Sequence, residues 1–368
     1  MKRIFVPRFF DTANHNAQNL NAKAILAHAG TVNDMQFHGV FYDNPMNLPK
    51  SVRLTRLWRG VLYKLHMIFL YQGNYDAIFY PGKMPFDKIG LWLRRITGRS
   101  IPIIATLEGL PGDEVREQSL GGVIGHKVFC NRMPTRQIKI FDAVHRMADH
   151  IIAISPFLAT AGQEMFGGKC SVVQLGVDTD TFYYDPVAEK LERTTVICSG
   201  TAYSLKRPEF FLKLAETNLE ADFIWYGGGR ENLLDTLNRE IQEKKLPNIE
   251  FRGAVNQQKL AEAYRQAHLF VLPSLSEGVP KVSQEAAACG LPLVMFGHFE
   301  APSLVDGKNG RVVWSDEEFI EAVASLVQDE KQRKAMGLAS AEMAKNWGWE
   351  QVAPLWLEGI QNVVHESR

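Results

Sequence analysis

The sequence predicts an α/β protein built from two doubly wound, Rossmann-like domains. Three observations carry the prediction. At 368 residues the chain is longer than one hydrophobic core usually serves. Short apolar runs alternate with longer stretches of helical periodicity, the pattern of parallel strands joined by crossover helices. The alternation lapses after residue 177 and starts afresh at residue 193. With 46% apolar and 22% charged residues the composition is that of a globular protein, which excludes wholesale disorder.

In the first half, strands are expected at Ile4–Val6, Ala77–Tyr80, Ile101–Thr106, His150–Ile154 and Ser171–Leu175, each a short apolar run. Helical patterns fall between them at Ala13–Ala29, Leu54–Tyr71, Phe86–Thr97 and Thr135–Ala148. The second half repeats the scheme with strands Thr195–Ser199, Phe223–Tyr226, Ile249–Arg252, Leu269–Leu272 and Leu293–Phe296. Its helices are expected at Pro208–Thr217, Arg230–Lys244, Gln257–Gln266 and Lys281–Cys289. Between the halves, Asp, Thr, Tyr and Pro replace any periodicity, so 1–177 is read as one domain, 178–192 as a linker and 193–347 as the other domain. Residues 348–368 hold an amphipathic helix, Trp349–Val364, after a Trp-Gly-Trp break.

Formal net charge is zero, which argues against a dedicated nucleic-acid binder. The zero hides an asymmetry: residues 1–180 hold 21 basic and 14 acidic groups, and the remainder 20 and 27. Either the first half faces something anionic, a phospholipid surface or a phosphorylated acceptor, or the halves merely balance. Arg53, Arg56, Arg59 and Lys64 share the Lys50–Tyr71 stretch with Leu54, Leu57, Trp58, Leu62 and Leu65, so that helix either rests on an anionic bilayer or is an ordinary surface helix. Cys130, Cys170, Cys198 and Cys289 lie far apart, as reduced cytosolic thiols do. No uninterrupted apolar run reaches eighteen residues, and Pro7 and Arg8 break the N-terminal one. The expected location is the cytoplasm, with peripheral contact on the inner face of the membrane as an option.

The stretch LFVLPSLSEGVPKVSQEAAACGLPLV, residues 269–294, carries the sharpest chemical signal. A strand ends at Pro273, a polar loop follows, and a helix begins near Pro280, where proline suits a first turn. The N–H groups of Lys281, Val282 and Ser283 are then placed to meet a phosphate, aided by the helix dipole. Glu277 lies before the helix and Glu285 past its first turn, so complementing the dipole explains neither; both can accept hydrogen bonds from sugar or ribose hydroxyls.

A second signal is SGTAYSLKRPEFFLKLAE, residues 199–216, in which Lys206 and Arg207 stand just before a helix opened by Pro208. Positive charge there opposes the dipole, and a diphosphate would neutralise it. The third is Gly227-Gly228-Gly229 after a strand, which fits either close backbone approach to a ligand or a tight turn. Lys206, Arg207, Glu277 and Glu285 are expected to line one common hollow.

Lys206-Arg207-Pro208, Gly227–Gly229, Phe251-Arg252-Gly253-Ala254, the Glu277-to-Glu285 stretch, Asp306–Arg311 and Trp349-Glu350 together resemble the retaining glycosyltransferase family 4. Leu175-Gly176-Val177-Asp178 with Phe182 resembles that family's approach to its linker. The order and spacing match over most of residues 150–365. The resemblance implies a GT-B fold, two facing Rossmann-like domains with the C-terminal helix crossing back to the first, acceptor-binding one. It implies that Lys206 and Arg207 hold the diphosphate, Glu285 the ribose and Glu277 the donor sugar. Gly278, Val279, Lys281, Val282 and Ser283 would contact sugar and phosphate, Ala254 and Val255 would lie near the base, and Gly200 and Gly227 would border the donor.

Two departures stand out. The family's histidine in the first domain is replaced at Thr106-Leu107-Glu108-Gly109, where Glu108 either assists the reaction or caps a turn; His126 is the alternative. The N-terminal Gly-rich turn is replaced by Asp11–Asn16. Asp178-Thr179-Asp180 spells a metal-binding D-x-D, but it lies in the linker and the cations already offer counter-charge, so neither metal nor other cofactor is expected. The function implied is transfer of a sugar from a nucleotide diphosphate, UDP-sugar before GDP-sugar, to a glycan or lipid-linked acceptor in cell-surface polysaccharide or lipopolysaccharide synthesis. A nucleotide-sugar epimerase of the same fold and a non-catalytic sugar-nucleotide-binding subunit are the rivals.

Overall fold

The computed structural model describes residues 2–11, 17–27, 35–42, 75–81, 101–124, 130–229 and 233–366, with Trp92, Arg95, Ile96 and Gly98. The chain forms two compact units. One takes Met1–Ile124, Cys130–Gly176 and Trp349–Arg368; the other is built on Val177–Gly348.

The first unit runs β1 (Lys2–Asp11), α1 (Ala17–Ala27), β2 (Met35–Tyr42), β3 (Ala77–Tyr80), β4 (Ile103–Leu107), β5 (Pro111–Gly112) and α2 (Glu114–Ile124). It continues with β6 (Asn131–Arg132), α3 (Thr135–Arg146), β7 (His150–Ala153), α4 (Pro156–Phe166) and β8 (Lys169–Val172). Six strands pair in parallel in the order β2-β1-β3-β4-β7-β8, and β5 pairs with β6 apart from them. Every residue of β3 and β4 is buried, as expected when both faces of a parallel sheet are covered. Local signals set the connections. Ser155 Oγ accepts the Leu158 amide, Pro156 opens α4, and Gly167 ends it at φ 70°, a left-handed stop that glycine takes without strain.

The second unit runs β9 (Thr195–Ser199), α5 (Pro208–Glu216), β10 (Asp222–Tyr226), α6 (Leu233–Lys244), β11 (Ile249–Phe251) and α7 (Gln257–Gln266). Then come β12 (Leu269–Leu272), α8 (Lys281–Ala288), β13 (Leu293–Phe296), β14 (Gly310–Val313), α9 (Asp316–Gln328) and α10 (Glu330–Ala344). All its strand pairs are parallel, in the order β11-β10-β9-β12-β13-β14. Counted from β9 this is the 3-2-1-4-5-6 order of dinucleotide-binding sheets, and the direction of winding reverses between β9 and β12.

The last helix, α11 (Trp349–Glu366), belongs to the first unit. Trp356 Nε1 donates to Gln174 O at 2.8 Å, and Lys169 pairs with Glu366 at 2.9 Å. The Trp349 ring lies so close over Gly176 that a Cβ there would meet it at 2.5 Å, so the Trp-Gly-Trp sequence and Gly176 together fix where the chain rejoins this unit.

Two differences from the sequence reading have physical reasons. Residues 178–192, read as a linker, pack on the second unit: Phe182 is fully buried against Tyr264, Leu191 N donates to Gln266 O, and Lys190 Nζ donates to Ala267 O. Single anchors produce no periodicity. The strands β2 and β14 were not expected; both lie at sheet edges, and β14 holds a glycine and an exposed arginine among its four residues. The Lys50–Tyr71 helix, His126 and residues 12–16 lie outside the described residues.

Candidate active site

Doubly wound sheets bind ligands beyond the carboxyl ends of their strands, where the winding reverses. In the second unit that point lies between β9 and β12, and the loops leaving these two strands carry Lys206 and Glu277. The loops are stitched together by the Leu275 amide, which donates to Leu205 O at 2.9 Å.

After β9 the backbone turns at Gly200, φ 127°, and passes through a short 3-10 turn at Ser204–Lys206. Gly200 N donates to Tyr226 O at 2.8 Å, Ala202 N to Gly228 O at 2.7 Å, and Gly227 N to Gly253 O at 2.7 Å. Gly227 has φ 147°, and a Cβ on it would stand 2.0 Å from Gly200 O. Gly227, expected to border the donor, is therefore needed for the approach of its loop to Gly200, and Gly200 for its own backbone turn at φ 127°. Beyond Gly253, φ 72°, Ala254 and Val255 are exposed at the end of β11.

Lys206 Nζ donates to Glu277 Oε1, and the two side chains are only 12% and 13% exposed. Burial by itself lowers an ammonium pKa; the charge and hydrogen bond of Glu277 outweigh it and hold Lys206 above its ordinary 10.5. The ammonium lies over Gly200, whose place a Cβ would bring to 3.8 Å from Nζ.

Arg207 turns elsewhere. Its backbone is left-handed, φ 52°, and its guanidinium grips Asp316, the first residue of α9, through Nη1–Oδ1 at 2.8 Å and Nη2–Oδ2 at 2.6 Å. It also lies over the Phe210 ring at 4.3 Å. The hydrogen bonds from Arg207 hold the Asp316 carboxyl below its ordinary 3.8, against the opposing effect of burial. Of the four residues expected to line one hollow, Lys206 thus has its side chain on Glu277 and Arg207 has its own on Asp316.

At α8, Pro280 is the cap, with extended backbone (φ −75°, ψ 93°), and the helix proper starts at Lys281. Ser283, expected to offer its amide to a phosphate, instead donates that amide to Pro280 O at 3.0 Å. Its buried hydroxyl donates to Pro280 O and bonds Ser303 Oγ, each at 2.7 Å. The Val282 amide meets no backbone carbonyl among the described residues. Gly278, Val279, Lys281 and Val282 are half-buried around it.

Glu285 is 6% exposed, and no described residue donates a hydrogen bond to its carboxylate. Burial pushes its pKa up to about 7, with Lys281 opposing and Asp178 reinforcing the rise. Tyr264 connects this residue with the end of β9: its hydroxyl bonds Ser199 Oγ at 2.5 Å and lies within electrostatic reach of Glu285. Asp178 accepts the Thr181 amide at 3.3 Å and its hydroxyl at 2.8 Å. Glu108 belongs to the first unit, half-buried directly beyond the carboxyl end of β4.

Sequence reasoning missed Asp316 and Tyr264, and it gave Asp178 only as part of a weak metal motif and of the approach to the linker. Asp316 had a faint signal, a Ser-Asp start to an apolar-periodic stretch, but nothing tied it to a residue 109 positions earlier. The left-handed backbone of a non-glycine residue such as Arg207 leaves no mark in the sequence.

A family model described as Glycosyl transferases group 1 matches residues 193–329, and one described as Glycosyltransferase Family 4 matches residues 16–181. A D-inositol 3-phosphate glycosyltransferase from Paenarthrobacter aurescens is 26% identical over 89% of this chain and 83% of its own length. A GDP-mannose-dependent alpha-(1-6)-phosphatidylinositol monomannoside mannosyltransferase from Mycolicibacterium smegmatis is 28% identical over 61% of this chain and 65% of its own length. Among solved structures, sucrose-phosphate synthase from Thermosynechococcus elongatus superposes with a TM-score of 0.73 at 16% identity, covering 100% of both chains. HepE of Anabaena in complex with UDP and glucose gives 0.71 at 15% identity, covering 98% of this chain and 100% of its own. The two parallel sheets, their strand order and these matches agree on the GT-B class, and the chain belongs to the group 1 glycosyltransferases of family 4.

Proposed function

We propose that the chain transfers a sugar from a nucleoside diphosphate to an acceptor hydroxyl with retention of anomeric configuration, using Lys206, Glu277 and Glu285 at the β9–β12 reversal. The observation that carries this reading is the pair of nearly buried, oppositely charged groups at that point, with a second buried carboxylate lacking a donor nearby. An ammonium has three N–H donors and Glu277 takes one, so two remain for phosphate oxygens. Glu277 Oε2 stays available for a sugar hydroxyl. The pair therefore spans the bond that breaks, with cation toward the leaving group and carboxylate toward the sugar. The N-terminus of α8 adds its dipole to the leaving diphosphate. Glu285 accepts the ribose hydroxyls that would satisfy its empty acceptor sites.

No covalent nucleophile is assigned. The acceptor hydroxyl approaches from the side on which the diphosphate departs, and a phosphate oxygen takes its proton. Glu108 is the first unit's candidate for supporting positive charge on the sugar. UDP is the favoured carrier, supported by the UDP complex of a structural relative, and GDP the second, supported by the GDP-mannose-dependent relative. A glycan, phosphorylated polyol or lipid-linked acceptor fits the basic first half, and the relatives named for inositol phosphate and phosphatidylinositol mannoside support that class. A place in cell-surface glycan synthesis follows from the same acceptor class. No helix among the described residues is long and apolar enough to cross a membrane; contact with an anionic membrane remains part of the proposal. Incubation with UDP- and GDP-sugars tests it: slow donor hydrolysis and, with acceptor, an α-linked product from an α-linked donor are expected. Epimer formation, or binding without turnover, would replace the proposal with one of its rivals.

A further inference from the structure

We infer that Arg207 and Asp316 act together as a positioning pair that holds Lys206 in place for the donor diphosphate, and that Arg207 does not itself touch the phosphate. This rests on the donor reading given above. Lys206 and Arg207 are neighbours in sequence, yet their side chains go to different partners. Lys206 reaches the loop after β12, whereas Arg207 reaches the helix that follows β14, at the far end of the same sheet. Arg207 is also the cap of α5 and sits in the left-handed region, where a residue with a Cβ is strained and glycine would be at ease. Something must hold it there. Its amide donates to Ser204 O and its carbonyl accepts from the Phe210 and Phe211 amides, and its side chain adds two parallel hydrogen bonds to Asp316, the Phe210 ring at 4.3 Å and the Phe296 ring at 5.6 Å.

A planar guanidinium engaged by both nitrogens and stacked on a ring has little freedom left. Asp316 is in turn fixed at the first position of α9, whose cap is Ser315, the Ser315 hydroxyl accepting the Glu318 amide. Fixing Arg207 fixes the 3-10 turn that ends at Lys206, because the Arg207 and Lys206 amides close that turn onto Ser204 O and Tyr203 O. The second unit thus ties the loop after β9 from two sides. Glu277 and the Leu275–Leu205 bond hold it toward β12, and Asp316 holds it toward β14.

The test is a double-mutant cycle on the full chain, reading the dissociation constants of UDP and GDP by titration calorimetry. Arg207→Ala and Asp316→Ala are each expected to weaken the bound nucleotide about tenfold when Lys206 is present. In a Lys206→Ala background each is expected to change affinity less than twofold, since the group they position is gone. If Arg207→Ala weakens binding while Asp316→Ala leaves it unchanged or tightens it, Arg207 contacts the phosphate directly and the inference is overturned. If both losses persist undiminished without Lys206, the pair serves the fold alone and the inference is again overturned. Should the unaltered chain bind neither nucleotide, the donor reading itself fails, and the role assigned to the pair goes with it. Arg207→Lys and Asp316→Asn, which keep size but lose the paired contact, replace any alanine variant that does not fold.

Discussion

Glu285→Gln should make the ligand-free protein more stable at alkaline pH while destroying its donor site. The carboxyl is 6% exposed, accepts no hydrogen bond from any described residue, and titrates at about 7 where an ordinary glutamate titrates at 4.5. A group whose folded pKa is raised binds its proton more tightly in the folded state. For a carboxyl this means that stability falls as pH rises from about 4.5 to about 7 and is level beyond. At about 1.36 kcal/mol per tenfold, the depression above pH 7 reaches about 3 kcal/mol. That is an upper bound on the gain, because the substituted amide is itself buried without a donor. In a domain of this size about 1 kcal/mol moves the melting temperature by roughly 2–4 °C. Calorimetry between pH 4 and pH 9 should show the variant melting roughly 5–10 °C higher at pH 8 and the two curves converging near pH 4.5. The same variant should lose the melting shift that UDP or GDP gives the unaltered chain. A difference independent of pH, or a retained nucleotide shift, would refute the reasoning.

Lys206→Ala leaves the Glu277 charge nearly buried without a partner; it should cost about 3 kcal/mol in urea unfolding and abolish donor turnover. Because the Lys206 pKa is raised above 10.5, the contribution of the pair to stability should persist below that pH and fade only as pH climbs through the higher folded value. Gly227→Ala forces a Cβ to 2.0 Å from Gly200 O at φ 147°, so a loss of at least about 3 kcal/mol, or failure to yield folded protein, is expected by circular dichroism. Phe182→Ala empties the fully buried anchor of residues 178–192 and should cost about 3–5 kcal/mol by the same urea assay. Glu108→Gln should lower kcat and leave the UDP dissociation constant unchanged; a loss confined to UDP affinity would contradict its proposed place with the reacting sugar.

The central strands were legible because nothing competes with burial there. Leu269–Leu272 and Leu293–Phe296 are apolar throughout, are buried at every position, and begin and end where the sequence places them. Helix Gln257–Gln266 is equally plain, since Asn256 caps it by accepting the Lys259 amide. Edge strands are half solvated, which is why Gly310–Val313 passed unseen and the expected Ser171–Leu175 strand appears at Lys169–Val172. In the candidate site, Lys206 and the two glutamates were legible as charges that their own helices cannot explain. The destination of Arg207 was not, because it depends on a left-handed backbone and on a carboxylate brought near only by the order of β9, β12, β13 and β14. Gly227 was found for an incomplete reason: the space beside it is filled by the backbone of Gly200.

The most direct measurement is a crystal structure of the chain with UDP or GDP bound. The account predicts the diphosphate within hydrogen-bond distance of Lys206 Nζ and the start of α8, with the ribose hydroxyls on Glu285. A nucleotide seated away from the loops that follow β9 and β12, with Lys206 and Glu277 untouched, would contradict it.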